Sequence, residues 1–208
     1  MKGITIWGAA LAAVACAGSV RAHHSATMFD FGRPIWIKGT VVDYQPVNPH
    51  VLFAIDVGSE DGEIQRWRVE STSLSGLARR GVPIDLLKAG DAIEVCGFAL
   101  KDEARARVLA EYQRTYPAMY MHGHVLVMPD GTMRTWGSYG RLDNCVRPGD
   151  DAQKWLDFIN NDVGAKQWWC RARGMVTLPS AGTQALFPSV GPQALLDEID
   201  RRLTQPCR

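Results

Sequence analysis

Val51, Phe53, Ile55 and Val57 alternate with Leu52, Ala54 and Asp56, and no other feature constrains this chain as tightly. A period of two demands an extended strand whose successive side chains point to opposite faces. Upstream, Ile35 to Tyr44 (IWIKGTVVDY) is β-branched and aromatic between Pro34 and Pro46, which predicts another strand. Downstream, Ser59-Glu60-Asp61-Gly62 forms a turn and Ile64 to Glu70 returns. Trp67 and Val69 then lie on one face and Arg66, Arg68 and Glu70 on the other, as expected of a sheet with one buried and one wet side. Thr72 or Ser73 can cap a short helix over Leu74, Leu77 and Ala78, which Gly81 and Pro83 stop. Ala92 to Phe98 is a fourth strand, and Lys101-Asp102-Glu103 turns it into a fifth, Arg105 to Tyr112. Three strands, a short helix and two strands is the order of a five-stranded Greek-key barrel of the OB type.

Beyond Arg114 the pattern changes. His124 to Met128 and Thr132 to Trp136 flank Pro129-Asp130-Gly131, the signature of a hairpin. Residues 137 to 150 are rich in Gly, Asp and Pro and mark a boundary. Ala152 to Ile159 and Pro192 to Leu203 have helical spacing, the second with a stripe of Leu195, Ile199 and Leu203, and Gly174 to Gly191 reads as a loop. The expected fold is mainly β, a small OB-like barrel plus a hairpin, with a helical, disulfide-bonded C-terminal extension. The expected division is residues 1–22, 23–137 and 138–208: a signal peptide, the barrel domain and the extension.

The signal rests on Lys2, the Ala-rich apolar run from Ile4 to Gly18, and Val20-Arg21-Ala22 before the cleavage point. That run is too short and too rich in alanine for a membrane span. Ala13-Val14-Ala15-Cys16 resembles a lipoprotein site but lacks the leucine favoured three residues upstream, so lipidation through Cys16 ranks below cleavage after Ala22. Cleavage removes Lys2 and Arg21 and no acid, so the formal charge of +1 becomes −1. An exported, slightly acidic chain has little attraction for nucleic acid. Periplasmic or secreted placement follows, with no span left after cleavage.

Four cysteines then remain, Cys96, Cys145, Cys170 and Cys207, an even number that in an oxidising compartment predicts two disulfides. No Cys-x-x-Cys spacing supports a zinc ribbon or a thioredoxin-type centre. Strand parity puts Ile93 and Val95 inside the barrel and turns Cys96 outward with Glu94, toward the C-terminal part. Cys96 is therefore expected to pair with Cys145, and Cys170 with Cys207.

The pattern His23-His24-Ser25 followed by Met28-Phe29-Asp30, together with Asn48-Pro49-His50, Gly39-Thr40-Val41, Trp67-Arg68-Val69-Glu70, Leu87 to Asp91 and Pro129-Asp130-Gly131, resembles an exported bacterial family, the domain of unknown function six-one-five-two. The resemblance covers about residues 23 to 137, with extra residues at Arg114 to Gly123. It implies export, a small β-rich domain and a mature N-terminus at the histidine pair, and it supplies no reaction.

The five histidines fall into three groups, His23/His24, His50 and His122/His124. Neutral imidazoles coordinate copper, zinc and nickel. A chain beginning at His23 offers its α-amino group and its own imidazole to one ion, and one more imidazole completes an arrangement suited to Cu(II). The candidate ligands are His23, His24, His50, His122 and His124, and the candidate cofactor is copper. Each also has a plain structural reading: a poorly ordered terminus for the first two, a turn hydrogen bond for His50, exposed strand positions for His122 and His124. Met28, Met119, Met121 and Met128 would suit Cu(I), though methionines more often fill cores.

Catalytic signatures are weak. Ser25 beside His24 lacks triad evidence, the pairs Glu60-Asp61 and Asp150-Asp151 sit in turns, and no nucleophile elbow, zincin, P-loop or dinucleotide pattern occurs. Trp36, Trp67, Trp136, Trp155, Trp168 and Trp169 suggest the alternative, a non-metal envelope module for a protein partner, glycan or small ligand. Against that, Trp67, Trp155 and one of Trp168/Trp169 are expected to be packed inside.

Overall fold

The computed structural model describes residues 28–105, 119–137, 141–174 and 189–203. Six strands run as β1 (Phe29–Gln45), β2 (Leu52–Gly58), β3 (Ile64–Glu70), β4 (Ala92–Leu100), β5 (Met119–Val127) and β6 (Met133–Thr135). Their order is β3-β2-β1-β4-β5-β6, and β3 also pairs in parallel with β5, which closes a five-stranded barrel. β1 serves both halves, pairing with β2 and β4, and a register shift between Val41 and Asp43 bends it to do so. Helix α1 (Leu74–Ala78) follows β3, and the Ser73 side chain accepts from the Gly76 amide at 3.2 Å, as the capping argument requires.

The β2 strand is present, but both of its faces are covered over Leu52 to Ile55, Leu52 and Ala54 being buried too. Val51, Phe53 and Ile55 are fully buried and pack with Val41, Trp67, Val69, Ile93, Val95 and Trp136 in the barrel interior. The expected wet side of β3 is different, because Arg68 and Glu70 are buried. Closure against β5 places this end of β3 between two strands. Arg68 faces Asp43 at 3.7 Å, and the Tyr120 hydroxyl donates to the Glu70 carboxylate.

Among the described residues the fifth barrel strand is β5, and the one expected over Arg105 to Tyr112 falls almost wholly outside them. Arg105 is helical, residues 106–112 lie outside the described residues, and the first arm of the expected hairpin, extended back to Met119, closes the barrel instead. β5 shows no clean alternation because its outward side is also covered, so it is buried almost throughout. The hairpin itself is present as β5 and β6, with Val125 opposite Thr135.

The cover comes from a 3₁₀ turn (Leu142–Cys145) and helices α2 (Ala152–Asn161), α3 (Val163–Ala172) and α4 (Gln193–Arg202). Trp155, Trp169, Ile159, Leu196 and Ile199 pack with Cys96, Val125 and Met133 of the barrel in one apolar cluster. The 3₁₀ turn, inside the Gly-, Asp- and Pro-rich stretch, is buried rather than a linker. In α4 the innermost residues are Leu196 and Ile199, with Leu195 and Leu203 at the edge of the stripe. Helix α3 has no counterpart in the sequence reading. Asp162 explains it: this one side chain accepts from Ala165 N at 2.8 Å, capping α3, and from the Thr135 amide and hydroxyl at 3.1 and 2.9 Å. Most of the expected 174–191 loop lies outside the described residues.

Cys96 does point away from the barrel interior and forms a disulfide with Cys145, with Cα atoms 5.9 Å apart. Cys170 is disulfide-bonded as well, and Cys207 lies outside the described residues. Among the described residues no helix is long and apolar enough to cross a membrane.

Candidate functional site

The parallel seam between β3 and β5 gathers the histidines that fall within the described residues. Val51 N donates to Thr72 O at 3.0 Å and Ser71 N to Val51 O at 2.8 Å, tying the Asn48-Pro49-His50 loop to the end of β3. On that support His50 donates from Nδ1 to the Ser71 carbonyl at 2.9 Å. His122, paired with Glu70 across the seam, donates from Nδ1 to the Glu70 carbonyl at 3.2 Å. A carbonyl oxygen only accepts, so both rings carry a proton on Nδ1, and His122, neutral by its burial, has its lone pair on Nε2. Main-chain carbonyls orient metal-binding imidazoles in the same way in proteins generally.

His124 sits where β5 bulges. Cys96 pairs with Val125 and Gly97 with Gly123, which leaves His124 as the extra residue. Its ring is fully buried, and among the described residues neither ring nitrogen has a hydrogen-bond partner. Buried polar atoms without partners are rare enough in folded proteins to demand a reason. Phe98 and Trp168 flank the ring at 5.7 and 5.9 Å between centroids. Phe29 and Phe31, from the start of β1, lie 5.5 and 6.4 Å from the His122 ring. Gly137 closes the site: a Cβ there would fall 2.9 Å from His124 Nδ1 and 3.1 Å from His122 Cε1, so only glycine lets the backbone pack this closely over both rings.

The setting keeps both imidazoles neutral. Burial lowers His122 to about 4, opposed by the hydrogen bond to the Glu70 carbonyl and helped by the charge of Arg80. Burial lowers His124 to about 3, with His122 and Arg80 adding to it. Arg80 donates from Nη1 to the Gly137 carbonyl and lies 5.8 Å from the Trp168 ring. Burial raises the Glu70 carboxyl, against the Tyr120 hydrogen bond and the nearby His50. A neutral imidazole is the form that coordinates metal.

The structure therefore brings His50, His122 and His124 to one seam, and His122 and His124 are buried rather than exposed strand residues. Among the described residues no three His, Cys, Asp or Glu side chains stand close enough to hold one ion. His23 and His24 lie outside them. Met28, Met119, Met121 and Met128 all pack in apolar clusters, as core methionines do. Trp67, Trp155, Trp168 and Trp169 are buried, as expected for at least three of them, and Trp136 is buried as well. Sequence reasoning missed Glu70, Tyr120 and Arg80. The only available signal was an acid at the end of a strand that finishes in aromatic and apolar residues.

Residues 10–110 match a family model described as "Family of unknown function (DUF6152)", so the resemblance carried by the motifs is shown over that stretch. No curated protein matches the chain. Among solved structures, the crystal structure of the S. cerevisiae mitochondrial single-stranded DNA-binding protein Rim1 is similar at 9% identity and a TM-score of 0.31. It covers 46% of this chain and 92% of that one. A likeness this slight says nothing about nucleic acid.

Proposed function

We propose that the chain is an exported binding module that takes a copper-type metal ion at a histidine site on the β3–β5 seam. The observation that carries the reading is the state of the imidazoles: His50 and His122 oriented by adjacent main-chain carbonyls, beside a neutral His124 whose two nitrogens have no partner among the described residues. Unpartnered nitrogens in a buried ring are costly in a structural histidine and useful in a ligand. The position of β1 adds support. Phe29 packs on His122, and five residues of extended chain, about 16–18 Å, would separate it from His24. If cleavage after Ala22 frees the amine of His23, a leader of that length would be long enough to bring it to the seam.

The test uses the chain processed to His23 and one equivalent of Cu(II). Ligand-field absorption and nitrogen hyperfine structure in the electron spin resonance spectrum are expected, and one extra residue before His23 should weaken binding. Unchanged affinity in the extended chain removes the amine as a ligand. The second reading is a non-metal envelope module for a protein partner, glycan or small ligand. A cleft of about 440 Å³ between the β5–β6 turn and α2, lined by Asp130, Arg134, Lys154 and Asp157, favours it. No spectral change with Cu(II) would leave that reading in place.

A further inference from the structure

We infer that the Cys96–Cys145 bond is a thiol-responsive latch on His122 and His124. The inference deepens the metal reading and takes from it only the identity of the site.

Two legs run from this disulfide to the two rings. The first passes through Cys96 itself. It pairs with Val125, and the bulge that carries His124 begins at the next step, where Gly97 meets Gly123. The bond thus clamps the strand against which His124 is turned. The second leg passes through the neighbour of Cys145. Asn144 is buried, donates from Nδ2 to the Phe31 carbonyl at 3.1 Å and accepts from Val190 N at 2.9 Å. Phe31, fully buried, packs at 4.9 Å on Phe98 and at 6.4 Å on His122. The start of β1 is held on the β4 side as well, by the Phe29–Leu100 pairing, by the Lys101 amide on the Met28 carbonyl at 2.9 Å and by packing on Phe98, Leu100 and Ala104. Between Phe29 and Pro34 its pairing with β4 slips, leaving Phe31 outside the regular ladder. Trp36 completes the attachment by donating from Nε1 to the Cys145 carbonyl at 3.1 Å.

Both sulfurs are buried, so exchange follows a local opening of the 3₁₀ turn. A dithiol reductant then attacks one sulfur to give a mixed disulfide, and its second thiol displaces the protein thiol. Cys96 and Cys145 end as two thiols, the reductant ends as a cyclic disulfide, and two electrons and two protons have passed to the protein. With the turn released, the Asn144–Phe31 hold and the clamp at the bulge are both lost, while the five paired barrel strands remain.

Carbethoxylation by diethyl pyrocarbonate, mapped by peptide mass spectrometry on the full processed chain, reads the latch without any metal. In the oxidised protein His122 and His124 should be protected and His50 less so. After treatment with dithiothreitol, modification of both buried rings should rise at least about tenfold while the far-ultraviolet circular dichroism holds, as local opening requires. A Cys96→Ala, Cys145→Ala double variant separates this bond from the one at Cys170 and should behave like the reduced protein. Asn144→Ala, with the disulfide intact, should expose His122 and leave His124 protected. Unchanged protection in the double variant overturns the latch. Loss of the barrel's dichroism in step with modification also overturns it, because the bond then holds the whole fold. Copper titration of the same samples is scored separately: no binding with the modification pattern intact removes the metal reading and keeps the latch.

Discussion

His122 donates from Nδ1 to the Glu70 carbonyl across the parallel seam, and that contact decides which ring nitrogen holds the lone pair. His50 repeats the arrangement on Ser71. Long-range nitrogen–proton spectra at neutral pH should therefore show a protonated Nδ1 in both rings and an unprotonated Nε2 in His122. An Nε2-protonated pattern at His122 would mean that the carbonyl does not orient the ring, and the argument for a preset ligand would fail.

Acid should weaken the fold earlier than an ordinary surface histidine allows. Both buried rings have folded-state values below the usual 6.5, at about 4 for His122 and about 3 for His124. Below 6.5 the unfolded chain binds protons that the folded chain refuses, so stability is complete above that value and falls as the pH drops toward 4 and 3. At about 1.4 kcal/mol per pKa unit, full protonation of His122 withdraws of order 3 kcal/mol, and His124 somewhat more. Glu70 works in the opposite sense: its raised carboxyl favours the folded state at low pH and loses that advantage as the pH rises through its folded value. Urea titrations at pH 7, 6 and 5 should give a falling unfolding free energy. A flat profile would mean the rings are hydrated.

The barrel was legible where residue type and period agreed. Val51, Phe53 and Ile55 fill the interior as their spacing implies, Ser73 caps its helix, and the parity of Ile93, Val95 and Cys96 turns Cys96 outward toward the C-terminal cysteines, of which Cys145 is its partner. It became illegible where a second layer covers the sheet. β5 is buried almost throughout, so Met119 to Val127 has no alternation and only His124 to Met128 reads from sequence as one arm of a hairpin. The histidines were picked out as chemistry, but not as buried, because their cover comes from Phe29, Phe31 and Trp168, remote in the chain. Helix α3 escaped because its cap, Asp162, also serves β6, a tertiary role that no local pattern reports.

Space at the site should depend on Gly137. An alanine there would put its Cβ 2.1 Å from the Gly123 carbonyl oxygen and 2.9 Å from His124 Nδ1. Backbone on one side and a packed ring on the other leave little room to yield, so Gly137→Ala should cost about 1–3 kcal/mol in urea unfolding. Gly58, with nothing within 4 Å of its Cβ position, is the control, and its alanine variant should stay within about 0.5 kcal/mol of the parent. Equal effects at the two positions would show that the roof over the two rings is not tightly packed.

Replacing His124 should separate stability from binding. Alanine would leave a cavity and destabilise for that reason alone, so it decides nothing. Leucine fills most of the same space between Phe98 and Trp168 and removes two buried nitrogens that have no partners. Since an unpartnered buried polar group costs about 1–3 kcal/mol, His124→Leu should be more stable than the parent by about 1 kcal/mol at pH 7. The difference should widen at pH 5, where the parent alone has a reluctant imidazole at this position. Copper affinity, measured by competition with a chelator on the same samples, should fall at least about tenfold, the trade of stability for function that binding sites commonly show. A leucine variant that is less stable and binds copper as the parent does would make His124 an ordinary core residue and move the ligand set elsewhere.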